Sequence, residues 1–307
     1  MLATAPGLSP LSLDPRQFVG IPLALIGAIF LSLGAQLQHR GVNKVDSASD
    51  TDASKGGLSM HQLRQLLARP SWVTGTLMLG MAIVLQLTSL AFAPLIVVQP
   101  LGAVALVVTA VLNARVTKSA LNRLSVLAIV LCVVGVGAFV LVAAFQAREV
   151  PVTERELIEI LIILACALVL AAVFFLIFRA KMRALIYIVG AGILYGFVAT
   201  LAKVVIARVE QSEFDLLTAV CIVALLAAVG LGAYFVQNAY ASGPPDLVIA
   251  GLTVIDPLVA VTIGIAILNE AVQVQVWAAV VWVITGIVAV AGVLLLARHH
   301  PQAQGNP

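Results

Sequence analysis

The sequence predicts an all-α polytopic membrane protein: nine transmembrane helices, in two inverted repeats of four plus a connecting helix. Three observations carry that expectation. The chain of 307 residues is 62% hydrophobic and only 10% charged, against about half apolar and a quarter charged in a water-soluble domain. Its apolar residues gather into runs of about 20, the length that crosses a hydrocarbon core. Segments roughly 150 positions apart also resemble one another.

The nine runs are 18–38, 71–92, 94–114, 122–145, 157–178, 184–206, 216–238, 246–268 and 274–297. The first follows MLATAPGLSPLSLDPRQF, where Arg16 is the only basic residue. A signal peptide would need a basic start, so the first span is expected to be retained. The second and third runs are separated only at AFAP. Proline fits the first turn of a helix, so Pro94 is expected to open the third span after a tight hairpin. Pro244 and Pro245 should do the same before the eighth. Pro100 lacks an N–H and should break the third helix inside the membrane, freeing carbonyls that neighbours must meet. Pro257 is read as a second helix break, in the eighth span.

Basic residues set the orientation. Arg40, Lys44, Lys55, Arg64, Arg69, Arg115, Lys118, Arg123, Arg179, Lys181, Arg183 and Arg298 fall on one side, and only Arg16, Arg148, Arg155 and Arg208 on the other. The richer side is expected to be cytoplasmic, with the N-terminus outside and the C-terminus inside, in a cell (plasma) membrane. The acidic stretches EVPVTERE (149–156) and EQSEFD (210–215) then lie outside. The largest loop, 39–70, is cytoplasmic; its DSASDTDASKGG (46–57) reads as flexible linker and LSMHQLRQLLA (58–68) as an amphipathic segment for the inner surface. Residues 1–297 form one transmembrane domain (repeat 18–145, connector 157–178, repeat 184–297), followed by a cytoplasmic tail, 298–307.

The repeat places Ala91 on Ala241, Pro94 on Pro244, Val98 on Val248 and Gly135 on Gly286. A rival register sets VVQPLGAV on VIDPLVAV but needs a six-residue gap. Spans 1–4 then correspond to spans 6–9 in opposite orientation. Inverted repeats with proline- or glycine-broken helices mark secondary transporters, with the binding site near the midplane.

Ionisable groups inside a span are costly and point to function. Asp256 lies near the middle of the eighth span and is expected to be a coupling or ligand residue. Lys203, about a turn from the outer end of the sixth span, could join it, pair with it structurally, or reach the interface. Gln36, Gln38, Gln86, Ser89, Gln99, Tyr234, Gln237 and Asn238 could line a polar cavity or simply bond between helices. Tyr195, among Gly190, Gly192 and Gly196, reads as close helix packing. Glu270 is expected at a solvated outer mouth. Cys132, Cys166 and Cys221 read as small apolar residues within spans. The chain contains no GxSxG, HExxH or P-loop, and His39, His61, His299 and His300 lie at or beyond the membrane edge. The reading is therefore no enzyme, no cofactor, no metal cluster and no nucleic-acid partner.

RPSWVTGTLMLGMAIVLQLTSLAFAPLIVVQPLGAVALVVTAVL (69–112), with its Pro-x-Trp opening, A-x-A-P hairpin and V-x-P-L-G-A helix, resembles the drug/metabolite transporter superfamily. The nearest likeness is to its NIPA-type magnesium-transporter branch. IYIVGAGILYGFVATLAKVVI (186–206) resembles that branch's sixth span, with Lys203 at its lysine, and the stretch from Asn238 to Glu270 resembles the superfamily's second-half pattern. The resemblance implies a helical bundle of inverted repeats that moves a small solute or cation by alternating access, with protons as a candidate coupling ion. Its partners are that substrate and the lipid bilayer, and a homodimer is left open. The branch has a glutamate where this chain has Ile83, an asparagine at Gln86 and an acid at Ser119. Mg²⁺ prefers a site with a carboxylate, so these replacements predict no rescue of a magnesium-uptake-deficient host. A different class of role, a lipid flippase subunit or a scaffold acting through the 39–70 loop, is the alternative.

The orientation gives a direct test. Cysteines placed at Ser54 or in the tail should react with an impermeant maleimide only from the cytoplasm, and one at Thr153 only from outside. Labelling of both chain ends from one side would overturn it.

Overall fold

The computed structural model describes residues 14–46, 68–117, 122–178, 184–242, 245–272 and 274–298. Those residues form ten helices and no strand: α1 (Gln17–Asp46), α2 (Pro70–Phe92), α3 (Leu95–Leu101), α4 (Val104–Thr117), α5 (Arg123–Gln146), α6 (Glu154–Phe178), α7 (Ala184–Glu210), α8 (Leu216–Ser242), α9 (Pro245–Ala266) and α10 (Val276–Arg298). Among the described residues, eight stretches are long and apolar enough to cross a membrane, with α3 and α4 acting as one. Helix α6 stands where the fifth span was expected. It is 25 residues long, with Glu154, Arg155, Glu156 and Glu159 gathered at its start. Helix α1 continues to Asp46, beyond the predicted end at 38. The predicted amphipathic segment 58–68 lies almost wholly outside the described residues, as do Ser119 and the tail.

The punctuation of the chain explains the breaks. Pro70 occupies the first turn of α2, and Pro94 precedes Leu95 at the start of α3, as expected. Ala93, extended at φ −148° and ψ 150°, makes the hairpin with Pro94. Pro100 ends α3 one residue later. The chain then tightens: Gly102 N–H donates to the Gln99 carbonyl at 3.1 Å and Ala103 N–H to the Pro100 carbonyl at 3.1 Å. These three-residue turns carry the chain from α3 into α4 in place of a regular α-helical ladder. Pro257 behaves differently. Helix α9 runs unbroken through it, so the prediction of a second helix break is corrected. Only the Thr253 carbonyl, one turn earlier, faces a residue with no N–H to give.

The same helix pairs pack in both halves. α1 lies against α2 and α4 as α7 lies against α8 and α9, and α3–α4 meets α5 as α9 meets α10. Between the halves, α3 meets α9, and α5 packs along α10. Small residues make these approaches possible. A Cβ on Gly292 of α10 would stand 2.5 Å from the Cys132 amide nitrogen of α5, and one on Gly135 would stand 2.6 Å from that of Ala289. The outer surface is apolar, with Leu77, Ile83, Leu170, Leu226 and Ile287 all exposed, as lipid contact requires. Cys132 and Cys221 are buried and Cys166 is exposed, each a free thiol.

The α5–α10 seam yields a contrast. Gly292→Val should cost about 1–3 kcal/mol by overpacking, read as a lower Tm in detergent. Gly137→Ala, where nothing lies within 4 Å, should be neutral or raise Tm slightly, since alanine favours helix by up to about 1 kcal/mol. Equal Tm values for the two variants would refute the seam.

Candidate functional site

Two places concentrate polar chemistry: the middle of α9, and one end of the bundle. At that end the N-terminus of α1, the α2–α3 hairpin and the loops after α5, α7 and α9 come together. Arg16, beside α1, pairs with Glu149 at 3.6 Å and Glu210 at 3.7 Å and lies 5.9 Å from the Phe92 ring centre. The Arg148 amide donates to the Glu270 carbonyl at 3.0 Å. A cleft of about 380 Å³ opens here, lined among others by Arg16, Glu149, Lys203, Glu210 and Glu270.

The hairpin is the focus of this end. Where α2 stops, the carbonyls of Leu90 and Ala93 have no helical partner, and where α3 starts, neither do its first N–H groups. Lys203 of α7 donates to the Leu90 carbonyl at 2.6 Å and the Ala93 carbonyl at 3.1 Å, and also pairs with Glu149. Glu270 accepts from the Leu95 amide at 2.7 Å and the Ile96 amide at 2.9 Å. A cation thus sits at the negative end of one helix and an anion at the positive end of the next, each where the backbone dipoles favour it.

Glu270 is placed by its own turn. The last carbonyls of α9 are met by Ile267, Leu268 and Glu270 amides, and Asn269 takes a left-handed conformation, φ 56°. That closing turn folds Glu270 back over Gly264, where a Cβ would come within 2.9 Å of its Oε2. Glu270 is buried, 3% exposed, so the expectation of a solvated mouth residue is corrected. Burial pushes its carboxyl above the ordinary range, although the Ile96 and Leu95 amides and the Lys203 charge pull the other way. At the neighbouring α7–α8 loop, Arg208 pairs with Asp215 at 2.9 Å and with Glu213. The Thr218 amide and hydroxyl hold the Asp215 carboxyl below its usual value, and Arg208 adds to this.

Asp256 sits midway along α9, and its Oδ1 is shut off from the surface with no hydrogen-bond partner. Its backbone lies against Gly192 and Gly196 of α7; a Cβ on Gly196 would be 3.1 Å from the Asp256 carbonyl oxygen. Tyr195, between those glycines, is an electrostatic neighbour of Asp256 and packs its ring on Gly232 of α8. Lys203 is engaged at the hairpin, so the structural Asp256–Lys203 pair weighed as an alternative is not formed.

The predicted polar set does not converge on one cavity. Gln36 donates to Asn113, and Ser32 meets Thr109 at 2.8 Å one turn away, forming a polar seam between α1 and α4. Gln38 donates to Thr76 at 2.9 Å. Asn238 donates to the Tyr234 carbonyl of its own helix at 2.7 Å, and Ser89 to the Gln86 carbonyl at 2.7 Å. Gln99 is buried and Gln86 half-buried. Pro100 and Pro257 do come together: with Val136, Phe139 and Thr253 among others, they line an apolar cavity of about 90 Å³. Among the described residues no group of three His, Cys, Asp or Glu could hold a metal ion.

Glu270 generates a pH prediction. Its folded pKa lies above the ordinary 4.5, so the folded state holds the proton more tightly than the unfolded one. That contribution to stability is full below the unfolded value and is lost as pH rises through the folded value. Tm in detergent should therefore fall over that window, and Glu270→Gln should flatten the slope. The variant should also lose about 1–3 kcal/mol, because an amide NH₂ cannot accept from both N–H groups. An unchanged pH slope in the variant would count against the assignment.

The NIPA magnesium transporter family matches residues 16–206 of the chain. A probable magnesium transporter NIPA1 of Arabidopsis thaliana is 31% identical over 136 residues, 44% of this chain and 38% of that protein. Magnesium transporter NIPA4 of Homo sapiens is 27% identical over 137 residues, 45% of this chain and 32% of that protein. The matches to these two transporters therefore span under two fifths of their length. An uncharacterized protein of Corynebacterium glutamicum is 25% identical over 294 residues, 94% of this chain and 98% of its own. No solved structure matches. Matched over more than half its length, the chain belongs to the NIPA magnesium transporter family.

Proposed function

We propose that the protein is a secondary transporter that carries a small cation across the cell membrane by alternating access, with Asp256 as the group that meets the cation. One observation carries this reading: a carboxylate oxygen buried at mid-span with no hydrogen-bond partner. Such a group is expensive in hydrocarbon. A bound cation relieves that cost, and so does a proton once the cation has left, which is the exchange that couples transport to a proton gradient. The two halves, 18–145 and 184–297, rock about the midplane with 157–178 as connector, and the hairpin end faces outside.

The names of the relatives make Mg²⁺ the first cargo to test. Mg²⁺ keeps several waters and needs only one or two carboxylates. Asp256 supplies one. Ile83, where the branch has an acid, is 60% exposed on the outer face of α2, so its replacement removes nothing from the interior.

Asp256→Asn keeps size and hydrogen bonding but cannot lose a proton. Purified and reconstituted, it should retain the wild-type Tm and lose cation flux, or show flux independent of pH. Full, pH-dependent flux in the variant would overturn the role of Asp256, and no flux of any cation in wild type would overturn the transport reading. Rescue of a magnesium-uptake-deficient host by wild type would correct the expectation drawn from Ile83 and Ser119.

A further inference from the structure

We propose that Lys203 and Glu149 form a latch that keeps the hairpin end of the bundle closed, and that this ion pair must part before that end can open. The inference rests on the transport reading, which requires an end that opens; the closure itself rests on geometry.

Two kinds of contact cross from one half to the other. The α5–α10 seam and the Pro100–Pro257 cavity are apolar and non-directional. No charged bond has to break for such faces to part. The α2–α3 hairpin is held otherwise. It belongs to the first half, yet its four bonds to Lys203 and Glu270 come from the second. Charged, directional bonds are either made or broken, which is what a two-position element needs.

The two side chains differ in reach. Glu270 is 3% exposed and locked by its turn over Gly264. The Lys203 side chain is 9% exposed, but its partner Glu149 is 21% exposed and lines the open cleft. Glu149 also takes Arg16, itself half-exposed. It therefore ties the start of α1 to α7 and can be approached from solvent. A cation arriving in the cleft competes with Lys203 for the Glu149 carboxylate. Once that pair parts, the Lys203 ammonium keeps hydrogen bonds to two neutral carbonyls and the charge of Glu270 without a bond to it, a weaker hold for a buried charge. Release of Lys203 leaves Glu270 as the hairpin's hydrogen-bond tie to the second half among the described residues. Lys203 thus acts as a positioning residue for opening, distant from the cargo site at Asp256.

The test reads accessibility, so it does not depend on flux. Val97 of α3, 0% exposed, is changed to cysteine in a chain with Cys132, Cys166 and Cys221 replaced by alanine. An impermeant maleimide is applied from the side that labels Thr153→Cys. Labelling should be slow in this background and about tenfold or more faster with Lys203→Met or Glu149→Gln, the scale of losing a hydrogen bond to a charged group. Lys203→Arg, which keeps the charge, should stay near the background rate. Glu149→Gln leaves Lys203 on its two carbonyls, so it reads the latch even where Lys203→Met fails to fold. Unchanged labelling in Glu149→Gln at wild-type Tm overturns the latch whatever the flux. Faster labelling in a protein that moves no cation upholds the latch and removes the transport reading instead.

Discussion

A tight hairpin between two spans creates backbone groups that neither helix can satisfy. Where that hairpin is buried, water is a poor remedy, and each orphan group costs free energy comparable to a lost hydrogen bond. Ala93 is fully buried, and so are Leu95 and Ile96. The chain answers with one ammonium and one carboxylate, brought from α7 and from the turn after α9. Much else follows from that demand. Gly264 must be small so that Glu270 fits, and Gly20 must be small because a Cβ there would stand 2.7 Å from the Ala93 Cβ. Asn269 must accept a left-handed conformation. Glu149 must stand where it can balance Lys203. The two halves are registered against each other by hydrogen bonds at one end and by glycine contacts along α5 and α10.

The spans, the hairpin and the break after Pro100 were legible in the sequence because each has a local cause. Run length sets a span, and a missing N–H sets a break. Glu270 was not legible. It follows the last apolar residue of α9, which is where a solvated helix end belongs, and only the turn at Asn269 shows that it folds inward. Lys203 and Asp256 looked like partners because they are the two ionisable groups inside spans. Choosing between Asp256 and Glu149 as the lysine's partner needs depth along α7, and hydropathy cannot resolve a single turn. Pro257 read as a break by analogy with Pro100. Pro100 is followed by Gly102 and a tightened turn, whereas the chain after Pro257 carries on as regular helix. Asn238 was placed in a cavity for its chemistry, yet its amide spends itself on its own helix.

Among the candidate site residues, Asp256 stood out because a lone carboxylate in twenty apolar residues is its own signal. Tyr195 did not, since tyrosine among glycines reads equally well as packing, and it does pack on Gly232. Arg16 and Glu149 were visible only as loop charges. Residues at loop ends acquire roles from neighbours far away in sequence, and nothing local announces which ones will meet.

The cavity between Pro100 and Pro257 has a mechanical consequence. It is a half-open apolar groove, with Leu258 exposed at its rim, and the groups around it forgo part of their dispersion contact. A filled core resists displacement because every side chain must find a new hole. Here free volume lies where the third helix of one half crosses its counterpart in the other. Compression or shear at that crossing can be absorbed without pushing any side chain out of its rotamer, so the centre of the bundle is more compliant than its glycine-sealed flank.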